Sequence, residues 1–268
     1  MTPAVPQIAE LVAPPSWRTV DFISDIHLQA AEAATFEAWT QYLQTTPADA
    51  MFILGDLFDV WVGDDAVRAE LSASTPALNF EEQCASVLQA TGERLDLFFM
   101  HGNRDFLIGA QFMALCRSTL LADPTVLSFA GQRWLLSHGD ALCLDDLDYM
   151  QFRQQVRSDA WQQSFLAKPL AERQAIARGL RQQSRQQHDK RQQAGAAYVD
   201  VKQAAVCQWL QAAQAPTLIH GHTHQPATHE LGQGLRRVVL SDWDAAAQPA
   251  RTEVLRLSAT GLQRIALA

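Results

Sequence analysis

Thr19-Val20-Asp21-Phe22-Ile23-Ser24-Asp25-Ile26-His27 is a short apolar run that stops in a carboxylate and an imidazole. Residues 19–24 have the length and apolar content of a buried strand, and the chemistry begins where that strand ends. The same arrangement recurs four times. Residues 50–54 lead into Gly55-Asp56, and 95–100 lead into Gly102-Asn103-Arg104-Asp105. Residues 133–137 lead into His138-Gly139-Asp140, and 216–220 into Gly221-His222-Thr223-His224. Between these runs, 31–44, 80–89, 105–116 and 199–211 read as helices. Residues 125–129 pair with 133–137 around Gly131, and 235–240 and 252–257 read as closing strands. Alternating strands and helices predict a layered α/β core. In such cores the loops beyond the carboxyl ends of strands gather functional groups, so one rim is expected to collect Asp, His and Asn.

Carboxylate, imidazole and amide oxygen suit Mn²⁺, Fe²⁺ or Zn²⁺, and the absence of thiolates from the set argues against a structural zinc site. Taken singly the clusters say little. A lone Asp-x-His or Gly-Asp is an ordinary turn, and a lone histidine such as His138 is ordinarily a hydrogen-bonded, half-buried one. The ordered set, each member after an apolar strand, is what carries the inference. His101 and His220 precede motif glycines and are candidates for orienting ligands.

The chain has 268 residues, 48% of them hydrophobic and 19% charged, enough apolar material for a packed core. Its formal charge of -8 makes it a poor general binder of nucleic acid, which we do not expect as a partner. The cysteines, at 84, 116, 143 and 207, form no close pair and read as reduced thiols. Residues 1–18 lack the charged and apolar regions of a secretory signal, and their prolines suggest an irregular arm. From 151 to 191 the composition changes: the stretch is Gln-rich and helical in propensity, with nine basic residues against three acidic, a local balance of +6. Apolar residues are sparse there but include Phe152, Trp161, Phe165, Leu166 and Leu180. This reads as a helical insertion.

In order, Asp25-x-His27, Gly55-Asp56-x-x-Asp59, Gly102-Asn103, His138 and Gly221-His222-x-His224 resemble the calcineurin-like metallophosphoesterase pattern. The resemblance implies an α/β/β/α sandwich over 19–268, with a helical cap inserted at about 147–195. It implies two metal ions. Asp25, His27, Asp56 and His224 hold one; Asp56, Asn103, His138 and His222 hold the other, with Asp56 shared and Asp59 behind it. One departure is informative, because Arg104 stands where the general family has a histidine after Asn. Arginine cannot donate a proton near neutral pH, but it holds phosphate oxygens through two parallel hydrogen bonds. The leaving group should therefore need no proton, as when phosphate departs from a pyrophosphate.

The Arg form, the run Asp56-Leu57-Phe58-Asp59-Val60-Trp61-Val62-Gly63-Asp64-Asp65 and His220-Gly221-His222-Thr223-His224-Gln225-Pro226 resemble the UDP-2,3-diacylglucosamine hydrolase family of lipid A biosynthesis. That narrower resemblance implies cleavage of a lipid-linked UDP-sugar to UMP and 2,3-diacylglucosamine 1-phosphate, with two Mn²⁺ per chain. It also implies a peripheral site of action on the cytoplasmic face of the inner membrane. Asn103 and Arg104 are the expected catalytic pair, and Asn103, Arg104, Asp146 and His222 the expected substrate contacts. Counting back from His222, the family's Ser, Asn and Lys positions fall on Gln187, Arg191 and Ala194, which do not match. Lys190 or Arg191 is the expected substitute for the lysine. The basic, partly apolar cap is expected to seat the acyl chains, and the chain is expected to be a monomer. The alternative is another calcineurin-like phosphodiesterase or nucleotide pyrophosphatase.

Overall fold

Alternate side chains of the central strands enter two different cores, and this arrangement sets the architecture. The computed structural model describes residues 4–71, 77–193 and 199–267, apart from the side chains of 187–189 and 191–193. In β3 (Ala50–Leu54) every residue is buried. Ala50, Phe52 and Leu54 face one cluster, Met51 and Ile53 another. β4 (Asp96–Met100) divides likewise, Phe98 and Met100 against Leu97 and Phe99. A strand buried on both faces has to be a continuous apolar run, which is how both read in sequence.

The strands form two six-stranded sheets. One has the order β1 (Ala9–Val12), β6 (Thr125–Phe129), β7 (Gln132–Ser137), β8 (Thr217–His220), β10 (Leu235–Val239), β9 (Ala227–Gly232). The other has the order β12 (Gly261–Ala266), β11 (Glu253–Ser258), β2 (Thr19–Ile23), β3, β4, β5 (Ser118–Leu121). Phe22, Phe52, Phe98, Trp134, Leu136 and Ile219 pack between the sheets, with Phe52 and Phe98 stacked at 4.6 Å. Burying each such ring contributes roughly 2–3 kcal/mol. α1 (Ala33–Thr45), α2 (Phe80–Gly92) and α3 (Ala110–Leu115) cover the outer face of the second sheet. α7 (Gln203–Ala213) covers the first through Val206, Trp209 and Leu210. The layers are the expected α/β/β/α sandwich. Among the described residues no helix is long and apolar enough to cross a membrane.

Two local expectations are corrected. The arm expected to be irregular contains β1, which pairs in parallel with β6 from Ala9↔Thr125 to Val12↔Ser128. The helix expected over 105–116 is confined to α3. The Asp105 carboxylate accepts the backbone N–H groups of Gly102, at 2.9 Å, and Leu57, at 2.7 Å, which holds this segment in a turn. Asp64, from a neighbouring loop, then receives the N–H groups of Gly109 and Phe112, both at 2.9 Å, and satisfies the start of α3.

Between β7 and α7 the chain forms three more helices, α4 (Leu147–Val156), α5 (Asp159–Leu166) and α6 (Leu170–Gln193). Ser158 caps α5 through the Trp161 N–H. Phe165 and Ala177 are buried against the second sheet's helical layer. Arg173 is 2% exposed and bonds the Lys168 carbonyl at 2.9 Å, the Val62 carbonyl and Asp65. A polar anchor thus fastens α6 to the loop after β3.

Candidate metal centre

β2, β3, β4, β7 and β8 run parallel or nearly so into one rim, and each ends in a sharp reversal. Asp25, His27, Asp56, His222 and His224 all have φ between 50° and 66°. Left-handed backbone costs an ordinary residue about 1 kcal/mol or more, although Asp and His tolerate it better than most. Hydrogen bonds offset that cost. The Asp25 N–H donates to Gly55 O at 3.1 Å and the His27 N–H to Asp56 O at 3.0 Å, tying the first two loops together. The Arg104 N–H donates to Asp56 Oδ1 and the His222 N–H to Asp25 Oδ2, at 2.9 and 2.8 Å. Gly102 and Gly221 are needed for proximity: a Cβ on either would overlap the carboxylate of Asp56 or Asp25.

The side chains converge. His27 Nε2 and His224 Nε2 lie 3.2 Å apart, and His224 Nε2 lies 3.2 Å from Asp25 Oδ1. Asn103 Oδ1 stands 3.0 Å from His138 Nε2 and 2.8 Å from His222 Nδ1. His138 Nδ1 donates to Leu54 O at 2.8 Å, which fixes the tautomer when the ring is neutral and turns Nε2 inward. Two triads have ligand atoms within 4.8 Å of one another: Asp25, His27, His224, and Asp25, Asp56, His138. They share Asp25, whereas the family pattern shares Asp56. All seven expected ligands therefore meet at one rim.

The electrostatics favour a cation here. Burial pushes His27 well below the usual imidazole range, and the Arg104 charge adds to this. Burial and the His138 charge press His222 down to about 3. Both rings are thus neutral near pH 7, with lone pairs to offer. Burial also works against a charge on His138, but Asp56, Asp25 and Asp140 overcome it and raise the ring to about 9. Burial opposes the Asp25 carboxylate too, yet His224, His138 and His27 hold it well below its ordinary value. Carboxylates that draw a positive charge into a buried cluster of imidazoles and one amide oxygen form a donor set suited to a divalent ion. Of the two His27 nitrogens, Nε2 faces the cluster, and Nδ1 is buried without a hydrogen-bond partner.

A model of the calcineurin-like phosphoesterases matches residues 18–226. The chain belongs to the calcineurin-like phosphoesterase family. Among curated proteins this phosphoesterase is similar to UDP-2,3-diacylglucosamine hydrolases. That of Chromobacterium violaceum is 46% identical, covering 84% of this chain and 90% of that protein. That of Aromatoleum aromaticum is 43% identical, covering 83% and 88%. That of Xanthomonas campestris pv. campestris is 40% identical, covering 91% and 97%.

Around the cluster the phosphoesterase fold places Tyr149, Arg153 and Arg157, which reading the sequence did not single out, beside Asp140 of the fourth motif. Asp140, fully buried, accepts from Tyr149 Oη at 2.5 Å and Arg153 Nε at 2.7 Å, and Arg157 donates to Gly102 O at 2.7 Å. Tyr149 and Arg153 on α4 and Arg157 at its C-cap recur every four residues, a stripe whose period was legible. The Tyr149 and His222 rings stand 5.8 Å apart. Asp242 lies 3.9 Å from His224 Nδ1. Of the expected substrate contacts, Asn103, Arg104 and His222 are in the cluster. Asp146 caps α4 through the Tyr149 N–H at 3.3 Å. Lys190 is exposed on α6, and the Arg191 side chain, with Gln187 and Ala194, lies outside the described residues. His101 and His220 bond the carbonyls of Ile108 and Gly221, at 2.7 and 2.9 Å, and no hydrogen bond joins them to an expected ligand among the described residues.

Proposed function

We propose that this chain hydrolyses the pyrophosphate bond of UDP-2,3-diacylglucosamine, giving UMP and 2,3-diacylglucosamine 1-phosphate, with two Mn²⁺ ions. The observation that carries the reading is Arg104 set within the ligand cluster, its Nε 3.3 Å from Asp56 Oδ2. A guanidinium steadies phosphate oxygens but protonates nothing, so the departing group must be a weak base, as a sugar phosphate is. The names of the relatives supply the sugar nucleotide.

In this reading Asp25, His27, Asp56 and His224 hold one ion, and Asp56, Asn103, His138 and His222 the other. When bound, such a pair supplies a nucleophilic oxygen from water near neutral pH and offsets the charge of the phosphate. Asn103 and Arg104 grip the oxygens whose charge grows as the bond to the sugar phosphate breaks. His222 orients the same phosphate, and Asp146, Lys190 and Arg191 contact the rest of the substrate. The acyl chains seat on the cap. Four of the seven large hydrophobic side chains exposed among the described residues, Leu147, Phe152, Leu166 and Leu180, are there. Exposed apolar side chains on the cap suit a lipid-linked substrate, and the proposed place of action is the cytoplasmic face of the inner membrane.

Purified chain incubated with the UDP-linked diacyl sugar and Mn²⁺ is expected to release UMP, and EDTA to abolish release. Inertness towards this substrate, in a preparation that splits another phosphodiester, would sink the proposal. In ¹⁸O-water the label is expected in UMP; label in the lipid product would place the attack on the other phosphorus.

A further inference from the structure

Asp59 is encircled by arginines from two parts of the fold. Its Oδ1 accepts from Arg104 Nη1 at 2.7 Å and from Arg181 Nη2 at 2.5 Å. Its Oδ2 accepts from Arg181 Nε at 3.2 Å and faces Arg185 Nη2 at 3.5 Å. Arg104 belongs to the rim after β4, whereas Arg181 and Arg185 belong to α6. Asp59 itself is held rigidly. Phe58 beside it is buried, and the Asp59 N–H donates to Leu28 O at 3.2 Å. Among the described residues, the Arg104 side chain makes one hydrogen bond, from Nη1 to Asp59, and its buried Nε faces Asp56 Oδ2 at 3.3 Å as an ion pair without a hydrogen bond.

The guanidinium is thus held at two points, by the Asp56 charge at Nε and by the hydrogen bond to Asp59 at Nη1, and Asp59 is the anchor that α6 also touches. The same carboxylate oxygen also receives Arg181, so moving α6 alters the charge that Arg104 leans on. On α6, Arg173, Ala177 and Arg181 fall at four-residue intervals and face the loop after β3, with Asp65 under Arg173 and Asp59 under Arg181. We propose that Asp59 is a positioning residue: it aims Arg104 at the phosphate and ties that aim to the seating of α6. This rests on the hydrolytic reading only for its assay substrate.

The test is a double-mutant cycle. With Mn²⁺ supplied, Asp59→Asn is expected to lower kcat on UDP-2,3-diacylglucosamine about tenfold or more, while metal content and the unfolding midpoint hold. In an Arg104→Ala background the same change is expected to cost less than about twofold, because the residue it acts through is gone. Losses that multiply would show that Asp59 acts elsewhere and overturn the proposal, as would an Asp59→Asn enzyme as fast as the parent. If Asp59→Asn fails to fold, Arg181→Ala paired with Arg104→Ala runs the same cycle with the same two outcomes. A parent enzyme inert on the UDP-sugar refutes the proposed function alone. The cycle then runs on bis(4-nitrophenyl) phosphate, where non-multiplying losses still support the role of Asp59 and multiplying ones still overturn it.

Discussion

Arg104 joins the two halves of the site, one guanidinium between Asp56 and Asp59. Its planar fork matters as much as its charge, because a phosphate oxygen pair is met by two parallel donors. Arg104→Lys keeps the charge and loses the fork. We expect kcat/KM on the UDP-sugar to fall at least about tenfold with the metal content unchanged, and equal rates would remove bidentate contact from the account. Gly102 shows a different constraint. The Asp56 carboxylate and backbone fill the space a side chain would need. Gly102→Ala should displace Asp56, lowering bound metal per chain and costing roughly 1–3 kcal/mol of stability. Metal analysis beside thermal unfolding checks this, and full metal content at an unchanged midpoint would refute it.

Among the elements, α2 has the most explicit start. Asn79 accepts from the Glu82 N–H at 2.8 Å and Glu82 reaches back to the Asn79 N–H at 3.0 Å, a reciprocal capping box. The Arg68 guanidinium also donates to Glu82, and those bonds, against the effect of burial, draw the carboxyl down to about 2. A carboxyl with a depressed folded pKa stabilises fully above its unfolded value, about 4.3, and loses that contribution as pH falls through the folded value. Glu82→Gln should therefore be less stable than the parent at pH 7, and the gap should close between about pH 4.5 and 2. Urea unfolding across that window measures it; a gap constant with pH would contradict the assignment. The α4 and α6 arginines follow the same logic of facing carboxylates. Their four-residue stripes were visible as period, but their partners, Asp140 and Asp59, were not, because sequence does not say which loop a helix will cover.

At the scale of the molecule, the cap either seats lipid or is a solvated helical layer. Each buried CH₂ contributes about 0.8 kcal/mol, so a cap that grips acyl chains should favour the diacyl substrate over its deacylated analogue by orders of magnitude in kcat/KM. Comparable values for the two would take the groove out of the function. The rim and the cap also have different chemistry. The rim is assembled from strand ends fixed by two sheets, whereas the cap is fastened by Arg173, Phe165 and the clasp at Asp59. Substitutions in the cap are thus expected to alter substrate preference before they alter metal binding.

The order of the motifs, the apolar strands before them and the change of composition near 150 were enough to predict the layered core and its rim of functional groups, and the resemblance to calcineurin-like phosphoesterases named the seven side chains that converge there. A strand buried on both faces must be apolar throughout, and a divalent metal centre without thiolates draws on Asp, Asn and His donors, so both signals are local. The four strands that went unread, β1, β5, β9 and β12, are the four sheet edges, where one flank meets solvent and no buried run forms. The tertiary structure alone decided which carboxylate meets which arginine. Asp59 and Arg181 lie 122 residues apart, and nothing local in the chain sets a contact over that separation; packing of α6 on the loop after β3 does.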